Sequence, residues 1–404
     1  MPSRAPLRAG LAACAVSLIV SSSAHGQRTQ DVVDLILREG PRAAAIRAEV
    51  EVARREQAAR RTWPNPSIAY SRESAGFTEF LRVEQTLPIF GIRSDLAKAG
   101  VAAVAAAEAE GDARLWALRA EALSALAQLV AAQSRVAVAE AEVGRVGQLI
   151  ETLRIREREG EGSRFDRVRA EHELADARRD LGDARVAVAE ARAVLVGLLP
   201  PNTPPPAVLE PLFTLRPVPD EGAVGAQAAA TRAELRALRL AIDGARAEAA
   251  VAVRQRTPQP VITGGFKRAD NDGERQRGSL IGLGITVPLF DTGRRDAARW
   301  GAEARRAEAE RVAIEQRVRA EVAAAAAVLK IRQEALSAAA STSAEDDLVT
   351  MADVAYREGD IGIVTLLDAL RTSARSQIRD IDMQLEARLA QVALERAVGG
   401  VLWP

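Results

Sequence analysis

Aromatic residues, cysteine and histidine are all scarce in this chain of 404 residues. Phe, Trp and Tyr together make up 3% of the sequence, although 48% of its residues are hydrophobic. A compact globular protein of this size normally uses more aromatic residues in its core. Alanine, arginine, glutamate and leucine dominate instead, which is typical of long helices and coiled coils. The net charge is zero, so bulk electrostatics give no reason to expect a nucleic-acid partner.

The N-terminal segment, residues 1–26, has the pattern of a signal peptide. Arg4 and Arg8 precede a short apolar run, AGLAACAVSLIV, and small residues precede a predicted cleavage after Gly26. The run is too short to span a bilayer as a stable helix. We therefore expect the protein to be exported from the cytosol.

The single cysteine, Cys14, has two interpretations. The sequence LAAC resembles a lipobox, in which Cys14 would be acylated, but Arg8 is close and the apolar run continues past the cysteine, which favours an ordinary signal-peptide residue. The mature chain then has no cysteine and one histidine, His172, whose neighbours are acidic. This excludes thiol and histidine catalysis and a zinc site, and no phosphate-binding loop is present. We expect no enzyme activity, no cofactor and no specific metal site.

The chain contains two similar halves. Three landmarks recur in the same order about 200 residues later: Pro66 and Pro260, Pro88 and Pro288, Gly160 and Gly359. The sequence predicts an internal tandem duplication, with a first repeat over 27–199, a proline-rich linker over 200–222 and a second repeat over 223–404.

Each repeat is predicted to contain a helix, a β-hairpin and then two long helices. The hairpins are expected over about 66–90 and 260–290, where apolar residues alternate with polar or small ones. Strands of about ten residues are long enough to cross a membrane at a tilt. The predicted apolar faces contain Leu81, Val83, Leu87 and Ile89 in the first hairpin, and Ile281, Leu283, Ile285, Val287 and Leu289 in the second.

Long helices are predicted over about 92–157 and 164–199, and again over about 292–357 and 363–398. The first of them has a heptad-like seam of apolar residues: Leu115, Leu118, Leu126, Leu129, Val136, Val143, Val146, Ile150 and Leu153. A helix of this length would be roughly 100 Å long, which a globular domain does not contain.

These elements are incompatible with a monomer in a membrane. Four strands cannot close a barrel, and open sheet edges cannot lie in lipid because their backbone groups must be paired. Three chains would supply twelve strands and a ring of long helices. The predicted fold class is mainly α with a small β part: a homotrimer with a 12-stranded transmembrane β-barrel and a long α-helical barrel.

The chain resembles the TolC family of outer-membrane efflux channels, also called outer membrane factors, from about Asp31 to Pro404. The resemblance rests on the duplication, on the strand ends VEQTLPIFG and ITVPLFDTG before long helices, and on the turns REREGEG and YREGDIG. It implies a passive duct in the outer membrane of a Gram-negative bacterium. Substrates would arrive from an inner-membrane pump of the RND type and a periplasmic adaptor. The overall impression favours the heavy-metal cation efflux branch.

The resemblance also implies roles for particular residues. The periplasmic aperture would be formed by Asp166, Tyr356 and Asp368, although Ile361 stands where the family has a basic residue. A ring of Asp368 from three chains and a set of ordinary exposed helix charges both remain open. The adaptor would dock at the tip, at Arg158, Gly160, Gly162, Ser163, Arg357, Gly359, Asp360 and Gly362. Strand-to-helix junctions are expected at Pro88, Gly91, Pro288 and Gly293, with each proline at the start of a helix.

An alternative of another class is a periplasmic coiled-coil scaffold without a membrane barrel. It accounts for the helices and the composition but not for amphipathic strands in both repeats. A scaffold would be found in the soluble periplasmic fraction, which distinguishes the two hypotheses.

Overall fold

The computed structural model is mainly helical, with one antiparallel sheet of four strands. The predicted signal peptide and Cys14 lie outside the described residues, as do part of the linker and the centres of both hairpin turns. The structure describes residues 29–73, 78–205, 211–271, 274–340 and 345–403.

The same order of elements, from short helices through a hairpin to long helices, occurs in both halves of the chain. The first half forms α1 (Thr29–Glu39), α2 (Pro41–Arg60), β1 (Ser67–Glu73), β2 (Thr78–Thr86), α3 (Ile92–Glu159) and α4 (Arg164–Val196). The second half forms α5 (Glu221–Thr231), α6 (Ala233–Arg254), β3 (Gln259–Asn271), β4 (Glu274–Thr286), α7 (Arg294–Ala340), α8 (Glu345–Glu358) and α9 (Ile363–Val398).

The helices before each hairpin depart from the prediction, because each half begins with two helices where one was expected. Gly40 separates α1 from α2 with extended backbone angles, and Pro41 occupies the first turn of α2, where a missing N–H is tolerated. Arg232, also non-helical, separates α5 from α6. The helix predicted over about 292–357 is described as α7 and α8, and residues 341–344 between them are outside the described part.

The sheet joins the two halves of the chain. Its strand order is β1–β2–β3–β4 and every pair is antiparallel. The central pairing places Leu81 of β2 opposite Phe266 of β3. Strands β1 and β4 are the outer strands, and no described residue pairs with their outer edges. The strand ends next to the hairpin turns, Glu73, Thr78, Asn271 and Glu274, lie at the end of the sheet that is farther from the long helices.

One face of the sheet is apolar across all four strands, which confirms the predicted alternation within the strands. We call it the apolar sheet face. Its side chains are exposed, from 41% for Val83 to 88% for Ile281. The pairing register places the following residues on it: Ile68, Tyr70, Leu81, Val83, Ile262, Phe266, Ile281, Leu283 and Ile285.

The opposite face of the sheet is polar. Arg82 donates a hydrogen bond from Nη2 to Ser71 Oγ (3.3 Å). The cations of Arg82 and Lys267 lie 5.6 and 5.5 Å from the ring centroid of Phe80. Phe80 therefore packs on the polar face, whereas Tyr70 and Phe266 lie on the apolar sheet face.

The strands end earlier than the sequence pattern suggests. Strands β2 and β4 stop at Thr86 and Thr286, so the apolar residues that follow them belong to the connections. The N–H of Leu87 makes the last bond to β3, to Pro260 O (2.9 Å). Pro88 follows it, where no ladder bond is required of its nitrogen.

All four predicted junction residues lie between a strand and a long helix, but the expected reason for the prolines is wrong. Helices α3 and α7 begin at Ile92 and Arg294, several residues after Pro88 and Pro288. The residues directly before these helices are Gly91 and Gly293, both with positive φ (83° and 67°). The glycines therefore make the change of direction into each helix.

Helix α3, of 68 residues, runs along the helical part and packs against most of the other helices. Its N-terminal turns pack on α6 through Ile92 and Val251, and its C-terminal turns pack on α4, α8 and α9. All nine residues of the predicted seam are buried or half-buried. Small residues also face inward, since a Cβ at Gly111 would lie 2.9 Å from Val50 of α2. Close helix packing through Ala and Gly explains why so few aromatic residues are needed.

By length and composition alone, α3 is also apolar enough to cross a membrane, and it is the one such helix among the described residues. Half of its most apolar window is buried inside the chain. Buried core helices pass the same test, so this feature is weak evidence for a membrane-spanning helix.

Candidate functional site at the helical tip

Two helix-to-helix turns form one end of the molecule, which we call the tip. Gly160 ends α3 with φ 79°, and the next N–H, of Glu161, bonds to Arg156 O (2.9 Å). Gly359 ends α8 with φ 86°, and the N–H of Asp360 bonds to Ala355 O (2.8 Å). Both turns satisfy the last helix carbonyls through a left-handed glycine, as in a Schellman motif.

The eight predicted docking residues all lie in or beside these turns. Ser163 caps α4, because its Oγ accepts a hydrogen bond from the N–H of Phe165 (3.1 Å). Gly162 is half-buried and the other seven are exposed: Arg158, Gly160, Ser163, Arg357, Gly359, Asp360 and Gly362. The side chains of Phe165 and Val364, in the first turns of α4 and α9, are 66% and 54% exposed.

A single hydrophobic cluster lies behind both turns and fixes them to each other. It combines residues of α3, α4, α8 and α9: Val146, Ile150, Leu153, Ala170, Ala352, Ile363, Leu366, Leu367 and Leu370. Ile361, which stands in place of the expected basic residue, packs against this cluster. The position is therefore used for packing and supplies no cation to the aperture.

Two of the three predicted aperture residues are close together. Burial raises the pKa of the Tyr356 hydroxyl above 10.0, and the negative charge of Asp166 raises it further, whereas Arg156 lowers it by charge and by a hydrogen bond. The guanidinium carbon of Arg156 is 5.8 Å from the Tyr356 ring centroid. Tyr356 of α8 is thus next to a base of α3 and within electrostatic range of an acid of α4.

Asp368 lies elsewhere on α9. Its side chain is exposed, and its charge acts on Arg371, one turn further along the helix. Arg371 Nε in turn donates to Glu173 Oε1 of α4 (2.9 Å), and its Nη2 pairs with the other carboxylate oxygen. The Glu173 side chain is only 5% exposed.

The sequence analysis missed Arg156, Arg371 and Glu173. Both contacts join residues from different halves of the chain, Arg156 with Tyr356 and Glu173 with Arg371. Local spacing contains no signal for such pairs, since charged residues are common throughout these helices.

A buried carboxylate, Glu142 of α3, lies near the same ion pair. Burial raises its pKa above 4.5, and Asp180 and Glu173 of α4 raise it further, while Arg145 and Arg371 lower it. The folded chain therefore holds a proton on Glu142 at a higher pH than the unfolded chain does. This contribution to stability is present below pH 4.5 and is lost as the pH rises through the folded pKa.

Replacing Glu142 with glutamine should stabilise the packing of α3 on α4 at neutral pH. Glu142→Gln cannot ionise, so we expect the Tm to rise by a few degrees at pH 7.5 and to change little near the usual carboxyl pKa. Glu140→Gln is the matched control, because Glu140 is exposed on the same helix and pairs with Arg185 (2.9 Å). Equal Tm shifts for the two variants at pH 7.5 would contradict the claim that burial makes the negative charge of Glu142 unfavourable.

Comparison with known proteins agrees with this architecture. Residues 224–400 match the family model of the outer membrane efflux protein. Between 92% and 99% of the chain aligns with the fold of solved outer-membrane channels. The resemblance to the TolC family is confirmed. No curated protein matches the chain.

Three solved structures show how much of the chain this fold covers. The CmeC outer membrane channel of Campylobacter jejuni has a TM-score of 0.75 and 14% identity, covering 99% of this chain and 94% of that one. The MtrE outer membrane channel of Neisseria gonorrhoeae, solved in an open state, has a TM-score of 0.71 and 20% identity, covering 92% and 89%. CusC has a TM-score of 0.72 and 17% identity, covering 93% and 92%.

Proposed function

We propose that this protein is the outer-membrane duct of a tripartite efflux system in a Gram-negative bacterium. It passively conducts substrates from an inner-membrane pump of the RND type and a periplasmic adaptor to the exterior. The observation that most favours this function is the apolar sheet face, which is exposed in one chain and continuous over four strands. A surface of this kind is stable when it contacts lipid.

The trimer follows from the edges of the same sheet. In lipid, the free N–H and C=O groups of β1 and β4 would cost several kcal/mol each. Pairing β4 of one chain with β1 of the next satisfies them, and three copies give a closed barrel of twelve strands. The polar face with Arg82 and Lys267 then lines a water-filled lumen.

In this proposal the tip closes the periplasmic end of the duct and contacts the adaptor. Tyr356, Asp166 and Arg156 hold the α8–α9 pair against the α3–α4 pair. Separation of the two helix pairs would therefore widen the periplasmic end. The adaptor docks around the two glycine turns, where the exposed side chains of Phe165 and Val364 offer apolar contact area.

The proposed cargo is heavy-metal cations, which would pass through without a dedicated site. Among the described residues there is no cluster of three or more His, Cys, Asp or Glu side chains that could hold a metal ion. Conduction requires weak binding, so a cation duct does not need a tight metal site.

Removing the Asp368 carboxylate tests whether this residue faces the pore. Three copies around the axis would attract divalent cations, so Asp368→Asn should weaken divalent block of single-channel conductance by about tenfold. Asp183→Asn is the control, because Asp183 is exposed on α4. If block is unchanged in Asp368→Asn, Asp368 is an ordinary surface charge.

Cell fractionation followed by bilayer recording tests the function itself. The channel should be in the outer-membrane fraction and should give stable conductance after reconstitution. Recovery in the soluble periplasmic fraction would favour the coiled-coil scaffold instead.

A further inference from the structure

A row of charged side chains crosses the sheet just beyond the apolar sheet face, on the side of the hairpin turns. The register places Arg72, Glu79, Arg268 and Arg277 directly opposite one another on successive strands. They lie on the same face as Tyr70, Leu81 and Phe266, which form the next row toward the helices. These charges therefore point outward, like the apolar residues, and not into the lumen.

Positive charge is in excess on this face at the hairpin end of the sheet. One row further out, Arg275 pairs with Asp270 (3.5 Å), so four arginines stand against two carboxylates. At the other end of the same face, the strand residues include no lysine or arginine. The excess is thus confined to the end at the hairpin turns.

Arg268 and Arg277 are the centre of the row. They are directly opposite in the β3–β4 ladder, where side chains of like charge repel. Arg268 Nη1 lies 4.0 Å from Glu79 Oε2, and Glu79 also accepts a hydrogen bond from the Tyr70 hydroxyl (3.3 Å). Arg277 is exposed and has no ion-pair or hydrogen-bond partner among the described residues. An anion between the two guanidinium groups would remove the repulsion.

We propose that Arg268 and Arg277 bind the phosphate groups of phosphorylated lipids in the outer leaflet. This inference rests on the proposed function, which places the hairpin turns outside the cell and the apolar sheet face in lipid. The arginines then lie at headgroup depth, directly above the acyl chains that contact Phe266 and Ile281. Guanidinium groups bind phosphate oxygens in a bidentate manner, and an ammonium group would not. Three chains give three such sites around the barrel.

Binding of a purified glycolipid to the detergent-extracted trimer tests the inference. The probe is diphosphorylated lipid A, compared with the same lipid after removal of its phosphates, and bound lipid is counted by native mass spectrometry. Phosphorylated lipid should bind more tightly. We expect Arg268→Gln and Arg277→Gln each to lose about fivefold in affinity and the double variant about 25-fold.

Lys267→Gln is the matched control, since Lys267 neighbours Arg268 in β3 but lies on the lumen face. It removes the same charge at the same height and should bind lipid as the wild type does. If the double variant fails to form trimers, Arg277→Lys keeps the charge and should still lose affinity.

Equal binding of the two lipids by the wild-type trimer would overturn the inference. Complete displacement of the lipid by excess inorganic phosphate would also overturn it, because it would show a general anion site. A trimer that conducts but does not distinguish the lipids leaves the efflux function intact. A wild-type protein that is soluble and monomeric would instead contradict the proposed function.

Discussion

Gly293→Ala is expected to remove most of the assembled protein from the outer membrane. Gly293 precedes α7 with a φ of 67°, which an alanine adopts only with strain. A Cβ at this position would lie 2.0 Å from the backbone oxygen of Ala252 in α6. Because a backbone atom must move, we expect a loss of stability of about 3 kcal/mol or more.

Substitutions at two other glycines distinguish the cost of the backbone conformation from the cost of the steric clash. Gly91 has a φ of 83° before α3, but a Cβ there would meet only the Arg254 side chain, at 3.6 Å. Gly91→Ala should therefore lose about 1–2 kcal/mol from the backbone conformation alone. Gly301 lies inside α7, where a Cβ would meet only the end of the Arg305 side chain, at 3.9 Å, so Gly301→Ala should be neutral or slightly stabilising. Trimer yield and Tm should fall in the order Gly301→Ala, Gly91→Ala, Gly293→Ala, and normal assembly of Gly293→Ala would contradict this packing.

Arg371→Gln is expected to destabilise the tip by about 3 kcal/mol, at the low end of the cost of breaking a buried ion pair. Glu173 is 5% exposed and would lose both of its charged hydrogen bonds. The Arg371 side chain is 32% exposed, so solvent screening reduces the effect. The Tm should fall by several degrees.

Two comparisons show whether the unpaired acid is the cause. The double variant Glu173→Gln and Arg371→Gln removes both charges and should recover most of the lost Tm. Arg357→Gln breaks an exposed pair with Asp353 on α8, and its effect should stay within about 1 kcal/mol. If the double variant is no more stable than Arg371→Gln, the ion pair does not account for the loss.

The sequence predicts the parts of this fold that depend on local chemistry. Alternation of period two placed Leu81, Val83, Ile281 and Leu283 on one exposed face, because side chains of a strand alternate regardless of what surrounds them. Gly160 and Gly359 marked the two tip turns, because few other residues adopt a left-handed helix end.

Other features could not be predicted from local patterns. The apolar alternation continues past Thr86, and only the loss of pairing beyond Leu87 shows where the strand ends. The break between α1 and α2 did have a local signal, the Gly40–Pro41 pair, which the sequence analysis did not use. The contacts of Tyr356 with Arg156 and of Arg371 with Glu173 depend on how α3, α4, α8 and α9 pack.

The central claim is that three chains close one barrel through the free edges of β1 and β4. Native mass spectrometry of the mature protein, extracted in detergent from the outer-membrane fraction, tests it most directly. The account predicts the mass of three chains as the dominant species. A dominant monomer or dimer, or recovery of the protein only from the soluble periplasmic fraction, would contradict it.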